Sequence, residues 1–135
     1  LADSLVSTYS DLIAHISANL PAGYTDNDVY LPNDDREAPK DANWIRVDIT
    51  NNNTIDAAAG AGWRRTFGII TLEINTPKGS TFGVKTAIDH AELLQRAWRK
   101  QQMSNTRTTE SSVIFTGNND AWYTIQIQTE YYFEG

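Results

Sequence analysis

Residues 122–133, WYTIQIQTEYYF, alternate between apolar and polar through their middle. Tyr123, Ile125, Ile127, Tyr131 and Phe133 fall on one side of an extended chain, with Thr124, Gln126, Gln128 and Glu130 on the other, because successive strand side chains point to opposite faces. A strand that is apolar on one side and polar on the other belongs to a sheet covered on one face only. Gly117-Asn118-Asn119-Asp120 precedes it and tolerates turn geometry, so Ser112–Thr116 is expected as the other arm of a hairpin.

The same period recurs upstream. From Trp44 to Thr50, Ile45, Val47 and Ile49 oppose Trp44, Arg46, Asp48 and Thr50, and from Trp63 to Thr76, Ile70, Leu72 and Ile74 oppose Thr71, Glu73 and Asn75. Between these strands, Asn51 to Gly62 carries neither periodicity nor bulk and is expected as a long loop. The period changes to that of a helix in two places. Leu5, Tyr9, Leu12, Ile13, Ile16 and Leu20 predict a helix over Asp3–Leu20, stopped by Pro21 and Gly23. Val84, Ala87, Ile88, Ala91, Leu94 and Trp98 predict a second helix from Ser80 or Thr81 to about Lys100. The polar stretch from Tyr24 to Asn43 has room for one brief strand at Val29-Tyr30-Leu31. The order predicts an α+β fold, a mostly antiparallel sheet of four to five strands with two helices packed on one face, as a single domain over residues 1–135.

Composition narrows the chemistry. With 40% hydrophobic residues, 135 positions suffice for one core without metal or disulfide help, and the absence of cysteine excludes thiolate nucleophiles and cysteine metal sites. No run reaches the roughly 18 apolar residues of a membrane span, and no basic-then-apolar leader is seen, which makes a soluble, cytoplasmic product the expectation. The net charge of −6 and the scattered cations do not suit a protein that grips nucleic acid through counterion release.

Candidate catalytic patterns fall away one by one. His90-Ala91-Glu92 matches half of a zinc deaminase signature whose other half needs cysteines. His15 and His90 each stand alone on a predicted helix, and Gly60-Ala61-Gly62 leads into a strand where a dinucleotide loop would lead into a helix. No Gly-x-Ser-x-Gly elbow occurs, and Asn52-Asn53-Thr54 is a glycosylation sequon in form alone. No catalytic, cofactor or metal site is expected. Two features suit contact surfaces instead. Trp63, Arg64 and Arg65 combine the residue types enriched at interfaces, where the Asn52-Asn53 loop re-enters the sheet, and Phe67 with Ile69 would form an apolar patch needing a cover. Asp34, Asp35, Glu37 and Asp41 form an acidic loop without the pattern of a calcium site.

Taken in order, Trp44-Ile45-Arg46-Val47, a small-residue loop, Arg64-Arg65-Thr66-Phe67-Gly68, Asn75-Thr76-Pro77-Lys78-Gly79, a helix with Ile88, Leu93 and Leu94, and a last strand from Ala121-Trp122-Tyr123 to Tyr131-Tyr132-Phe133-Glu134 resemble the tail terminator proteins of long-tailed bacteriophages. The resemblance covers residues 44–134, and the first helix fits it too. It implies a virion structural protein of the tail and neck, assembled in the host cytoplasm: a homo-oligomeric ring, usually of six, that caps the tail tube protein, stops its growth and joins it to the head-completion or neck protein. DNA would pass through the lumen without specific binding, with no cofactor, enzyme activity or membrane involved. On that reading Asn52, Asn53, Trp63, Arg64, Arg65, Phe67 and Ile69 are expected at a subunit or tube interface, and Asp34, Asp35, Glu37 and Asp41 at the lumen wall. Another ring-forming neck or tail tube protein is the neighbouring alternative, and a small ligand-binding domain or hydrolase the more distant one.

Overall fold

Alternation on four long segments leaves one economical solution, a sheet whose apolar sides line up and receive the helices. The structure, a computed structural model, describes residues 5–39, 42–56, 64–78, 83–119 and 122–134. In chain order these form α1 (Leu5–Ala18), β1 (Val29–Tyr30), β2 (Trp44–Asp56), β3 (Arg64–Pro77), α2 (Gly83–Trp98), β4 (Arg107–Asn119) and β5 (Trp122–Glu134). The sheet has five strands in the order β1-β2-β3-β5-β4. Only the short β1–β2 pairing is parallel; the other three are antiparallel. The α+β class with a mostly antiparallel sheet and two helices is thus the observed one.

Register explains why one face closes. Val47, Leu72, Ile127 and Val113 lie opposite one another across four strands, and Ile45, Ile74, Ile125 and Phe115 form the next row on that side. Apart from Phe115, which is exposed at the β4 edge, these rows meet Ala87, Ala91, Leu94 and Trp98 of α2 and Leu12 and Ile16 of α1 in one continuous core. Each large aliphatic chain buried this way contributes about 1.5–3 kcal/mol. Trp98 is 0% exposed and anchors the end of α2. His15 ties the helices together, its Nε2 lying 2.7 Å from the Ala97 carbonyl and its ring edge-on to Trp98.

Four expectations need correction. The first helix buries Thr8, Leu12 and Ile16, while Leu5 and Tyr9 are exposed, so its buried stripe follows the i, i+4 row and excludes part of the apolar set. Val84 in the first turn of α2 is likewise exposed. Asn51-Asn52-Asn53 is not loop: β2 runs on to Asp56, and Asn52 is the extra residue of a β-bulge between the pairs Asn51↔Gly68 and Asn53↔Phe67. A run without apolar period still enters the ladder here, because β3 offers it backbone partners and Thr66 offers Thr54 a side-chain hydroxyl at 3.1 Å. Finally, β4 begins at Arg107 and continues to Asn119, five residues before the expected start and through the expected turn. Gly117 takes a φ of 81° at a second bulge opposite Thr124, so it bends the strand without ending it.

Gly68 marks a close approach. A Cβ there would overlap the Thr50 carbonyl and the Tyr131 ring. Tyr131 lies directly across the strand pair and carries its hydroxyl over Gly68 to the Thr50 carbonyl at 3.2 Å and the Asn51 side-chain amide at 2.7 Å.

Candidate functional site

The face opposite the helices follows from the other half of each alternation. Its middle rows are Arg46, Glu73, Gln126 and Ile114, then Asp48, Thr71, Gln128 and Ser112. Its uncharged polar residues are Thr71, Ser112, Gln126 and Gln128, and its charges are Asp48 and Glu73 against Arg46, with Glu130 on the next row. The Gln126 amide donates to Glu73 at 3.2 Å and the Gln128 amide to Gln126 at 3.3 Å, a chain that holds the long polar side chains along the sheet.

At one end of this face lie the arginines read from the sequence. Arg65 donates to Glu134 Oε1 at 3.0 Å, and its guanidinium sits 4.7 Å over the Tyr132 ring, which in turn leans on Phe67. Arg107 approaches the same carboxylate at 3.8 Å. Both arginines are substantially exposed, so these ion pairs contribute at most about 1 kcal/mol. Phe67 and Ile69 are half-buried, and Tyr132 supplies part of the cover that was expected from outside the chain. Arg64 is exposed on the same strand. Trp63 lies outside the described residues, and of Asn52 and Asn53 only the backbone is described.

At the opposite corner the acidic loop folds back on β1. Arg36 holds it: the guanidinium donates to both Asp34 carboxylate oxygens, to the Asn27 carbonyl at 3.1 Å and to the Val29 carbonyl at 2.9 Å, and stacks 4.3 Å over Tyr30. The Arg36 hydrogen bonds hold the Asp34 carboxyl below its usual range. Asp35 and Glu37 are exposed beside it, and Asp41 lies outside the described residues. Between the loop and the helix-free face runs an open cleft of about 460 Å³, lined among others by Tyr30, Asp34, Arg36, Asp48, Glu73 and Gln126. No group of three or more metal-ligating side chains converges among the described residues.

The two histidines serve packing. His15 joins α1 to α2, and His90 Nδ1 lies 3.1 Å from the Tyr24 hydroxyl with the two rings edge-on. Burial pushes His90 below its ordinary value and Tyr24 up to about 12, so the contact favours a neutral imidazole accepting from the phenol.

The sheet edges are unlike each other. Beyond β2, β1 covers only Ile45 and Arg46. Beyond β4, the chain leaving α2 turns back along the strand start: the Lys100 amide donates to the Thr109 carbonyl at 2.8 Å and the Thr108 amide to Gln101 at 2.9 Å. Lys100 takes a left-handed φ of 50° to make that turn. Arg99 and Lys100 thereby stand outboard of the edge strand, 3.4 and 3.6 Å from the Glu110 carboxylate. Farther along β4, Ile114 and Phe115 are exposed apolar side chains on an edge. Their residue types are visible in the sequence, but that β4 is an edge follows only from the sheet order.

No protein-family model matches the chain, and no curated protein matches it. Among solved structures, one whose name describes no activity is similar over 96% of this chain and 95% of its own, with a TM-score of 0.68 at 19% identity. That likeness extends the α+β fold to a second protein of nearly the same extent.

Proposed function

We propose that this chain is a ring-forming structural subunit of the tail terminator type, which closes the end of a phage tail tube, joins it to the neck and lets DNA through. The observation that carries the reading is the helix-free sheet face, which is broad, mostly neutral and slightly acidic. A lumen wall on which Asp48, Glu73, Glu130 and Glu134 slightly outnumber Arg46, Arg65 and Arg107 offers passing phosphates little net positive charge to displace their counterions, so DNA slides without being held. Helices on the opposite face would form the outside of such a ring. The two sheet edges carry different residues and different backbone exposure, as a heterologous contact between neighbours requires, and a closed ring uses up both. The sequence resemblance over residues 44–134 points the same way.

Light scattering across protein concentration, with electron microscopy of the large species, tests this directly. Closed rings of about six chains are expected. Long self-stacked tubes would move the assignment to a tail tube protein, and a monomer at every concentration, with or without tail tubes added, would overturn the ring reading.

A further inference from the structure

We infer that the seam between neighbouring copies is set by charge, with the basic corner outboard of β4 in one copy seated against the acidic loop beyond β1 in the next. The inference rests on the ring reading and names the surfaces that reading leaves open. Both features lie at the sheet's margins, and at opposite ones: β4 and β1 are the first and last strands of the order. Arg99, Lys100 and Arg107 stand at the β4 margin, with Glu110 between Arg99 and Lys100 and with Glu134 shared by Arg107 and Arg65, and the three basic side chains are 49–66% exposed. At the β1 margin Asp34, Asp35 and Glu37 flank Arg36, whose guanidinium is already committed to Asp34 and two backbone carbonyls. Asp35 and Glu37 are therefore left as exposed anions on a loop that is itself held in shape. One margin carries surplus positive charge and the other surplus negative charge, within a chain whose net charge of −6 repels unoriented copies. Ile114 and Phe115, exposed farther along the same β4 edge, add apolar area to that margin.

This gives the acidic loop a place at the subunit seam in exchange for the lumen-wall role expected from the sequence. It also accounts for Lys100: the left-handed turn that sets Arg99 and Lys100 outboard of β4 is strained for a residue with a Cβ, and a glycine there would relieve the strain but remove the charge.

The test uses two double variants of the full chain, Arg99→Glu with Lys100→Glu, and Asp35→Lys with Glu37→Lys. All four side chains are exposed, so both variants should fold, the Arg99→Glu with Lys100→Glu pair melting somewhat below the parent because it sets carboxylates beside Glu110 at the C-terminal end of α2. Each variant alone is expected to lose self-association by at least about tenfold, because its two margins now carry like charge. An equimolar mixture should recover it, since every seam in an alternating ring then pairs opposite charges. Parent association should also weaken with salt over the range in which the Debye length falls below about 10 Å. If the parent forms rings and both variants do so equally well, or if mixing fails to repair a loss, the charge seam is wrong while the ring reading stands. If the parent never associates, the ring reading falls and the seam with it.

Discussion

The two faces of this sheet are made by the same strands and differ by one step in register, yet they obey different rules. On the covered face, Ile45, Leu72, Ile74, Ile125 and Ile127 are at most 2% exposed and meet both helices. On the bare face their immediate neighbours Arg46, Thr71, Glu73, Gln126 and Gln128 remain in reach of solvent. The first face is where burial stabilises the molecule, so its residues are constrained by volume. The second contributes little to stability and is open to selection for what it touches. The ends of the bare face blur the division: Trp44, Asn75 and Thr124 are buried there, with Trp44 packed against Tyr30 and Trp122 and the Thr124 hydroxyl donating to Asn75 at 3.1 Å.

The comparison breaks most visibly if the covered face is emptied. Trp98→Ala removes the largest fully buried side chain and its contact with His15, and should cost about 3–5 kcal/mol in urea unfolding. Gly68→Ala adds a single methyl to the same face, where it meets backbone and an aromatic ring, and should cost about 1–3 kcal/mol in the same measurement. A smaller effect comes from the helix layer. His90 is held neutral by burial, so its contribution to stability is complete above its ordinary pKa of 6.5 and is lost as pH falls below that value. Midpoints of thermal unfolding between about pH 7 and pH 5 should therefore fall less steeply in His90→Gln than in the parent. The comparison sharpens at the bare face. Thr71→Lys with Gln128→Lys should cost up to about 1 kcal/mol, since the two cations stand directly opposite each other. The same variant should retain DNA on a filter at low salt, where the parent lets it pass, and release it as salt is raised.

Much of the covered face was legible because a period of two or of 3.6 residues is written into apolar side chains. Ile70, Leu72, Ile74, Ile125, Ile127 and the α2 stripe of Ala87, Ala91, Leu94 and Trp98 lie where that period puts them. What resisted reading was held by backbone instead. The Asn51–Asn53 run is strand because β3 supplies a ladder for it, and Arg107–Glu110 joins β4 because β5 on one side and residues 100–102 on the other supply partners. Neither fact leaves a mark in side-chain polarity. The candidate site was legible in part. Arg64 and Arg65 occupy the strand start expected for them, and Asp34, Asp35 and Glu37 lie in a loop as expected. The cleft over Asp48 and Glu73 and the placing of Arg99 and Lys100 outboard of β4 depend on strand order, which no local pattern encodes.

The overlap of Tyr131 with Gly68 has a consequence for how the chain finds its structure. β2 with β3 and β4 with β5 are local hairpins, whereas β3 and β5 are joined across α2 and must align thirteen residue pairs from distant parts of the chain. Non-local pairing of this kind is the slow part of folding a sheet, and a slip of one residue would turn every apolar side chain outward. Slips of two keep the faces correct and are harder to exclude by hydrophobicity. Two residues from Gly68 in either direction stand Thr66 and Ile70, which carry branched side chains on the side that Gly68 leaves open to the Tyr131 ring. The glycine thus acts as a keyhole on the β3–β5 seam, admitting the tyrosine at one alignment and discriminating between registers that the rest of the core would accept.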